Sequence, residues 1–133
     1  MRFIDSNVFI YHLAADPIYG VKAKNILKRI EEGEQAATST LVITQVCSYL
    51  KWKKEADVIP VFLSLLKKLT SLNKIETLTL DFEEAKTIQL KLNLPWDIWD
   101  DLVIAAQMKR LGITEIYSND EDFDKISWIK RIF

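Results

Sequence analysis

The chain has 133 residues, 49% of them apolar, and its 18 basic and 19 acidic side chains leave a formal net charge of −1. That length suits one domain, 1–133, with a real hydrophobic core. The near-neutral balance excludes a global positive field that would draw the protein to nucleic acid, so any such contact must be local.

In chain order, residues 2–5 read as a short buried strand, with Ser6 or Asn7 capping a helix to about 14. Asp16-Pro17 marks a turn, and 20–32 is an amphipathic helix stopped by Gly33. Residues 35–38 form a second strand, after which Ser39 or Thr40 caps a helix to about 53. A charged break at Lys53-Lys54-Glu55 leads to a helix over 56–72, whose true start falls near Val58 because Pro60 belongs in a first turn. A third strand is expected at 74–78, and Thr79 or Asp81 caps a helix to about 92. Asn93-Leu94-Pro95 breaks that helix, and Asp97 or Asp100 opens an apolar one that ends at Gly112. Strands at 115–117 and 127–133 follow, the last at a sheet edge. Strands alternating with helices predict an α/β fold: a single-domain α/β/α sandwich with a short, mostly parallel sheet.

No apolar run approaches the ~20 residues that span a bilayer. The single His12 argues against a zinc site or a His-based triad. The single Cys47 cannot form an intrachain disulfide, and with no signal peptide a cytoplasmic setting is expected.

The acids fall at element junctions. Asp5 closes the first strand, Asp101 opens the apolar run 101–106, and Asp120 follows the strand at 115–117. Alone, each has an ordinary use: a helix cap, a complement to the helix dipole, a turn residue. Together they would meet outside the carboxyl ends of the strands of an open α/β sheet. At ~5 Å and an effective dielectric of ~20 each carboxylate pair costs about 3 kcal/mol, which suggests a divalent cation between them.

The chain resembles the PIN-domain family of metal-dependent ribonucleases. Phe3-Ile4-Asp5-Ser6-Asn7 is similar to that family's opening strand, with its first catalytic aspartate. The serine-led run 39–46 is similar to its second block, 101–106 to the third with its catalytic aspartate, and 118–123 to the fourth, where Asp120 takes the last acidic position. The resemblance implies RNA phosphodiester hydrolysis with Mg²⁺ or Mn²⁺. Asp5, Asp101 and Asp120 are the expected metal ligands, with Asn7, Ser118 and Asp122 supporting them. Gln45 stands where the family usually carries a glutamate; its amide oxygen can orient a metal-bound water but brings no charge. That departure supports a second reading, a weak or inactive module that binds RNA or protein.

Lys51-Trp52-Lys53-Lys54, and Trp96 and Trp99 beside the acids, are the candidate RNA contacts, offering positive charge and stacking surface. Small members of the family are often toxins of the VapBC toxin–antitoxin class, which implies a homodimer and a cognate antitoxin partner. Val61, Phe62, Leu65 and Leu66 could serve such an interface, although their helical spacing favours core packing. Two other small α/β folds with acidic pockets fit less well. A phosphoacceptor receiver domain needs an acidic pair after the first strand, and a haloacid dehalogenase-like phosphatase needs a second aspartate where Asn7 stands.

Overall fold

Alternating short apolar runs and helical stretches give five strands, six α-helices and three 3-10 turns in the computed structural model, which describes residues 1–133. In chain order these are β1 (Arg2–Ile4), α1 (Ser6–Leu13), α2 (Gly20–Glu31), β2 (Ala36–Ser39), α3 (Thr40–Trp52), α4 (Ile59–Lys68) and β3 (Leu72–Ile75). They continue as α5 (Thr79–Leu92), α6 (Trp99–Leu111), β4 (Glu115–Tyr117) and β5 (Lys130–Ile132). The 3-10 turns are Ala56–Val58, Trp96–Ile98 and Glu121–Lys125.

The sheet order is β3-β2-β1-β4-β5, and every adjacent pair is parallel. The chain therefore builds outward from β1 to β3 on one side, then crosses to β4 and β5 on the other. The strand order reverses between β1 and β4, and in open α/β sheets this is where ligands bind. Phe3 and Ile4 of the central strand are fully buried, while the outer strands carry exposed Lys74 and Lys130, which discourage edge-to-edge pairing. α1 packs on α2 and α3, and α5 packs on α6. α6 is buried all round from Leu102 to Met108, the pattern of a core helix. No helix is long and apolar enough to cross a membrane.

Several boundaries differ from expectation, among them the last strand, which spans Lys130–Ile132 rather than 127–133 because the turn after Lys125 carries the chain to the sheet edge first. α4 ends at Lys68, and the third strand occupies Leu72–Ile75 rather than 74–78. Leu69 and Leu72 are both buried, so their spacing prolongs the helical pattern past the point where the backbone has left it. Pairing of Ala36 with Leu72 and of Ser39 with Ile75 fixes where the strand lies. Asp5, not Ser6 or Asn7, caps α1. Ser39 sits at the N-cap of α3 but makes no capping hydrogen bond; the adjacent Thr40 hydroxyl instead joins Thr77 at 3.0 Å, tying α3 to the loop before α5. Asp81 lies in the first turn of α5 and reaches back to accept from the Leu78 N–H at 2.8 Å.

Candidate functional site

Register brings the first pair of site residues together. Ile4 lies opposite Tyr117, so the next residues, Asp5 and Ser118, leave the sheet side by side. The Ser118 hydroxyl donates to Asp5 Oδ2 at 2.7 Å, and the Ser6 N–H donates to Oδ1 at 2.7 Å. Asn7 Nδ2 bridges Asp5 Oδ2 (3.4 Å) and Ser118 Oγ (3.2 Å), while its Oδ1 accepts from the Asn119 N–H. Ser118 Oγ also accepts from the Asp120 N–H at 3.0 Å, so one hydroxyl orients two of the acids. Asp120 in turn caps the 3-10 turn by accepting from the Asp122 N–H at 2.9 Å.

α6 supplies the next acid. It feeds β4, which runs parallel to β1, so the helix must run back across the sheet and begin over the carboxyl ends of the strands. Asp101 in its first turn therefore faces Asp5 and Asp120. Asp101, Asp120 and Asp122 each offer a carboxylate oxygen, all within 4.8 Å of one another. Together with Asp5, Asp97, Asp100 and Gln45 they line one open cavity of about 510 Å³. Neither lysine nor arginine lines it, and Lys125 pairs with Asp122, one of the lining acids, at 2.9 Å.

Burial first, then the charges of Asp120, Asp5, Asp122 and Asp100, push the Asp101 carboxyl up to about 8. Burial also raises the Asp5 carboxyl, against the hydrogen bonds from Ser118 and Ser6. Such crowding, relieved in part by the Lys125–Asp122 pair, fits a hard divalent ion, and an all-oxygen donor set suits magnesium or manganese better than zinc.

Gln45, on the second turn of α3, donates from Nε2 to Asp100 Oδ2 at 3.1 Å, and its Oε1 is buried with no partner.

The candidate RNA contacts separate into two groups. Lys51, Trp52, Lys53 and Lys54 are exposed at the far end of α3 and do not line the cavity; Lys53 instead sits over the Trp52 ring at 5.3 Å. Trp99 does line it, packing on the exposed Trp96 with ring centroids 5.8 Å apart and stacking with Phe82 at 6.5 Å. Of the suggested interface positions, Phe62 and Leu66 are core and Val61 is exposed. Sequence reasoning passed over Asp97 and Asp100 as site residues. Their spacing with Asp101, at i, i+3 and i+4, is the signal that places all three on one helical face.

A fully parallel α/β sheet with carboxylates gathered where its strand order reverses defines the class of this protein. The PIN domain family model matches residues 2–129, and the chain belongs to that family. A search of curated proteins by sequence returned no match. Among solved structures, the fold is similar to VapC20 of Mycobacterium tuberculosis, a sarcin–ricin-loop-cleaving toxin, with TM-score 0.80 and 16% identity over 97% of each chain. It is similar to VapBC2 of Rickettsia felis bound to promoter DNA, with TM-score 0.73 and 17% identity over 98% of this chain and 96% of that one. A toxin–antitoxin complex from Klebsiella pneumoniae gives TM-score 0.67 and 18% identity, over 98% and 96%.

Proposed function

We propose that the protein is a divalent-metal-dependent endoribonuclease, the toxin of a toxin–antitoxin pair. The observation that carries this reading is the meeting of Asp5, Asp101, Asp120 and Asp122 in one cavity free of basic side chains. PIN-family membership supports it, as do the toxins and toxin–antitoxin complexes of similar fold. Those complexes also support an antitoxin as protein partner.

Asp5, Asp101 and Asp120 would hold Mg²⁺ or Mn²⁺. Bound there, the ion supplies a Lewis acid for the phosphoryl oxygens and a water of lowered pKa. The chain's own residues do the positioning. Ser118 and the Ser6 N–H hold the Asp5 carboxylate, Ser118 also fixes the backbone of Asp120, and Asn7 braces both strand ends. Trp99 and the rings beside it offer an unpaired base a stacking surface, which favours single-stranded RNA.

The test is cleavage of end-labelled single-stranded RNA in Mn²⁺. Wild type should cut, whereas Asp5→Asn, Asp101→Asn and added chelator should each reduce the rate at least ~100-fold. Equal silence of wild type and Asp5→Asn overturns the nuclease reading. The neutral amide at Gln45 favours the second reading, a binding module. RNA held equally well with and without metal, and never cut, would establish it.

A further inference from the structure

We propose that Gln45 and Asp100 act as a single positioning unit, in which the amide holds the Asp100 carboxylate over the acidic cavity so that its charge serves the bound cation. This rests on the metal-site reading above. It explains why the chain tolerates an amide on α3.

The geometry is specific to this pair. A carboxylate only accepts hydrogen bonds, so the Gln45 amide must turn its NH₂ toward Asp100 Oδ2, where it sits at 3.1 Å. That choice fixes the other end. Oε1 is buried without a partner, so the contact with Asp100 is the one side-chain hydrogen bond Gln45 makes. Both residues line the cavity that holds Asp5, Asp101 and Asp120, and nothing basic lines it.

A glutamate at this place would put two carboxylates about 3 Å apart, beside a cluster that already repels itself. The amide removes that clash and keeps Asp100 aimed. The charge that position 45 lacks is carried 55 residues further along the chain, on the first turn of α6.

The test is Mn²⁺ binding by calorimetry, with free Mn²⁺ checked by electron paramagnetic resonance, on the full chain. Wild type is compared with Asp100→Asn, Gln45→Leu, Gln45→Glu and the double variant Asp100→Asn/Gln45→Glu; thermal melts confirm folding. Residues that orient metal ligands typically matter by ~10–100-fold in affinity, so Asp100→Asn and Gln45→Leu should each weaken Mn²⁺ binding about tenfold. Gln45→Glu should help at least ~5-fold more when Asp100 is already neutral, restoring the double variant toward wild type. If Asp100→Asn binds Mn²⁺ within twofold of wild type, or the two substitutions combine additively, the pairing is overturned. The site reading fails separately: in that case wild type binds no Mn²⁺, or Asp101→Asn binds it equally well, and the pairing falls with it. Binding lost in Asp101→Asn but untouched in Asp100→Asn overturns the pairing alone.

Discussion

Burial and four neighbouring carboxylates act together on Asp101, and their sum is large enough to hold a proton at neutral pH. Asparagine keeps the shape and removes the charge. Without metal at pH above 8, where Asp101 would otherwise ionise, Asp101→Asn should stabilise the fold by ~1–2 kcal/mol, since each like-charge pair at ~5 Å costs about 3 kcal/mol before screening. A melt in chelator checks this, and a variant no more stable than wild type there would show that the carboxylates do not repel as their spacing implies. Stability gained where cleavage is lost is the mark of a residue kept for chemistry. The same reasoning gives Ser118 its weight. Its hydroxyl is the buried donor to Asp5 and the acceptor that fixes Asp120, so one small side chain couples two acids from different strands.

At the scale of elements, α5 and α6 are joined by a side-chain clamp. Arg110 donates from Nε to Asp81 Oδ1 (2.9 Å) and from Nη2 to Oδ2 (3.0 Å), and Nη2 also reaches the Glu76 carbonyl. Burial pushes the Asp81 carboxyl up, but the Arg110 hydrogen bonds, the Leu78 N–H and the nearby positive charge outweigh it and hold the group below the usual range. The clamp is therefore present above the ordinary carboxylate pKa and is lost as pH falls through the lowered one. Because α6 carries Asp100 and Asp101 at its other end, the clamp also steadies the site. Arg110→Ala leaves a nearly buried carboxylate with no cation, facing the Leu78 N–H and the Gln107 amide, and these and the partial exposure of Arg110 moderate the cost to about 2–3 kcal/mol. Urea unfolding near pH 7 measures it. A loss under ~0.5 kcal/mol would assign the two helices' cohesion to apolar packing alone.

For the whole molecule, protons and folding are linked, and a cation held among these acids would be linked to both. Asp101 is raised to about 8 and Asp5 is raised as well, so the metal-free fold holds protons that the unfolded chain has released. Groups with raised folded pKa values contribute stability that is full below the unfolded pKa and lost as pH rises through the folded one. Stability in chelator should therefore fall from about pH 4 to about pH 8 and level off above. His12 works the other way: burial and then Lys24 push it down, which lowers stability as pH falls below its usual value. Asp101→Asn should remove its own share of the slope and leave those of Asp5 and His12. Mn²⁺ bound there and present at ~100 times its Kd should add ~2.7 kcal/mol, or roughly 10 °C in Tm. The increase should be larger at pH 8 than at pH 5.5, where the ion must displace protons. Equal shifts at the two pH values would place the metal away from the buried acids.

Much of this fold is written locally. Alternating apolar runs mark the strands, helical spacing and Pro60 mark α3 and α4, and the acids stand at junctions that a parallel sheet must bring to one edge. Those signals act over a few residues, through side-chain periodicity and capping, so they survive in the bare sequence. They also mislead locally: Leu69 and Leu72 extend a helical spacing into what is really the start of β3, because only pairing with β2 distinguishes the two. The contacts that shape the site lie beyond any local pattern. Asp5 meets Ser118 across 113 residues through the β1–β4 register, and Gln45 meets Asp100 across 55 because α3 and α6 both border the place where strand order reverses. From its own residues the chain determined which groups were available and at which ends of which elements they stood. Tertiary structure alone decided which of them touch, because hydrogen bonds reach only about 3 Å and that proximity depends on how distant strands align.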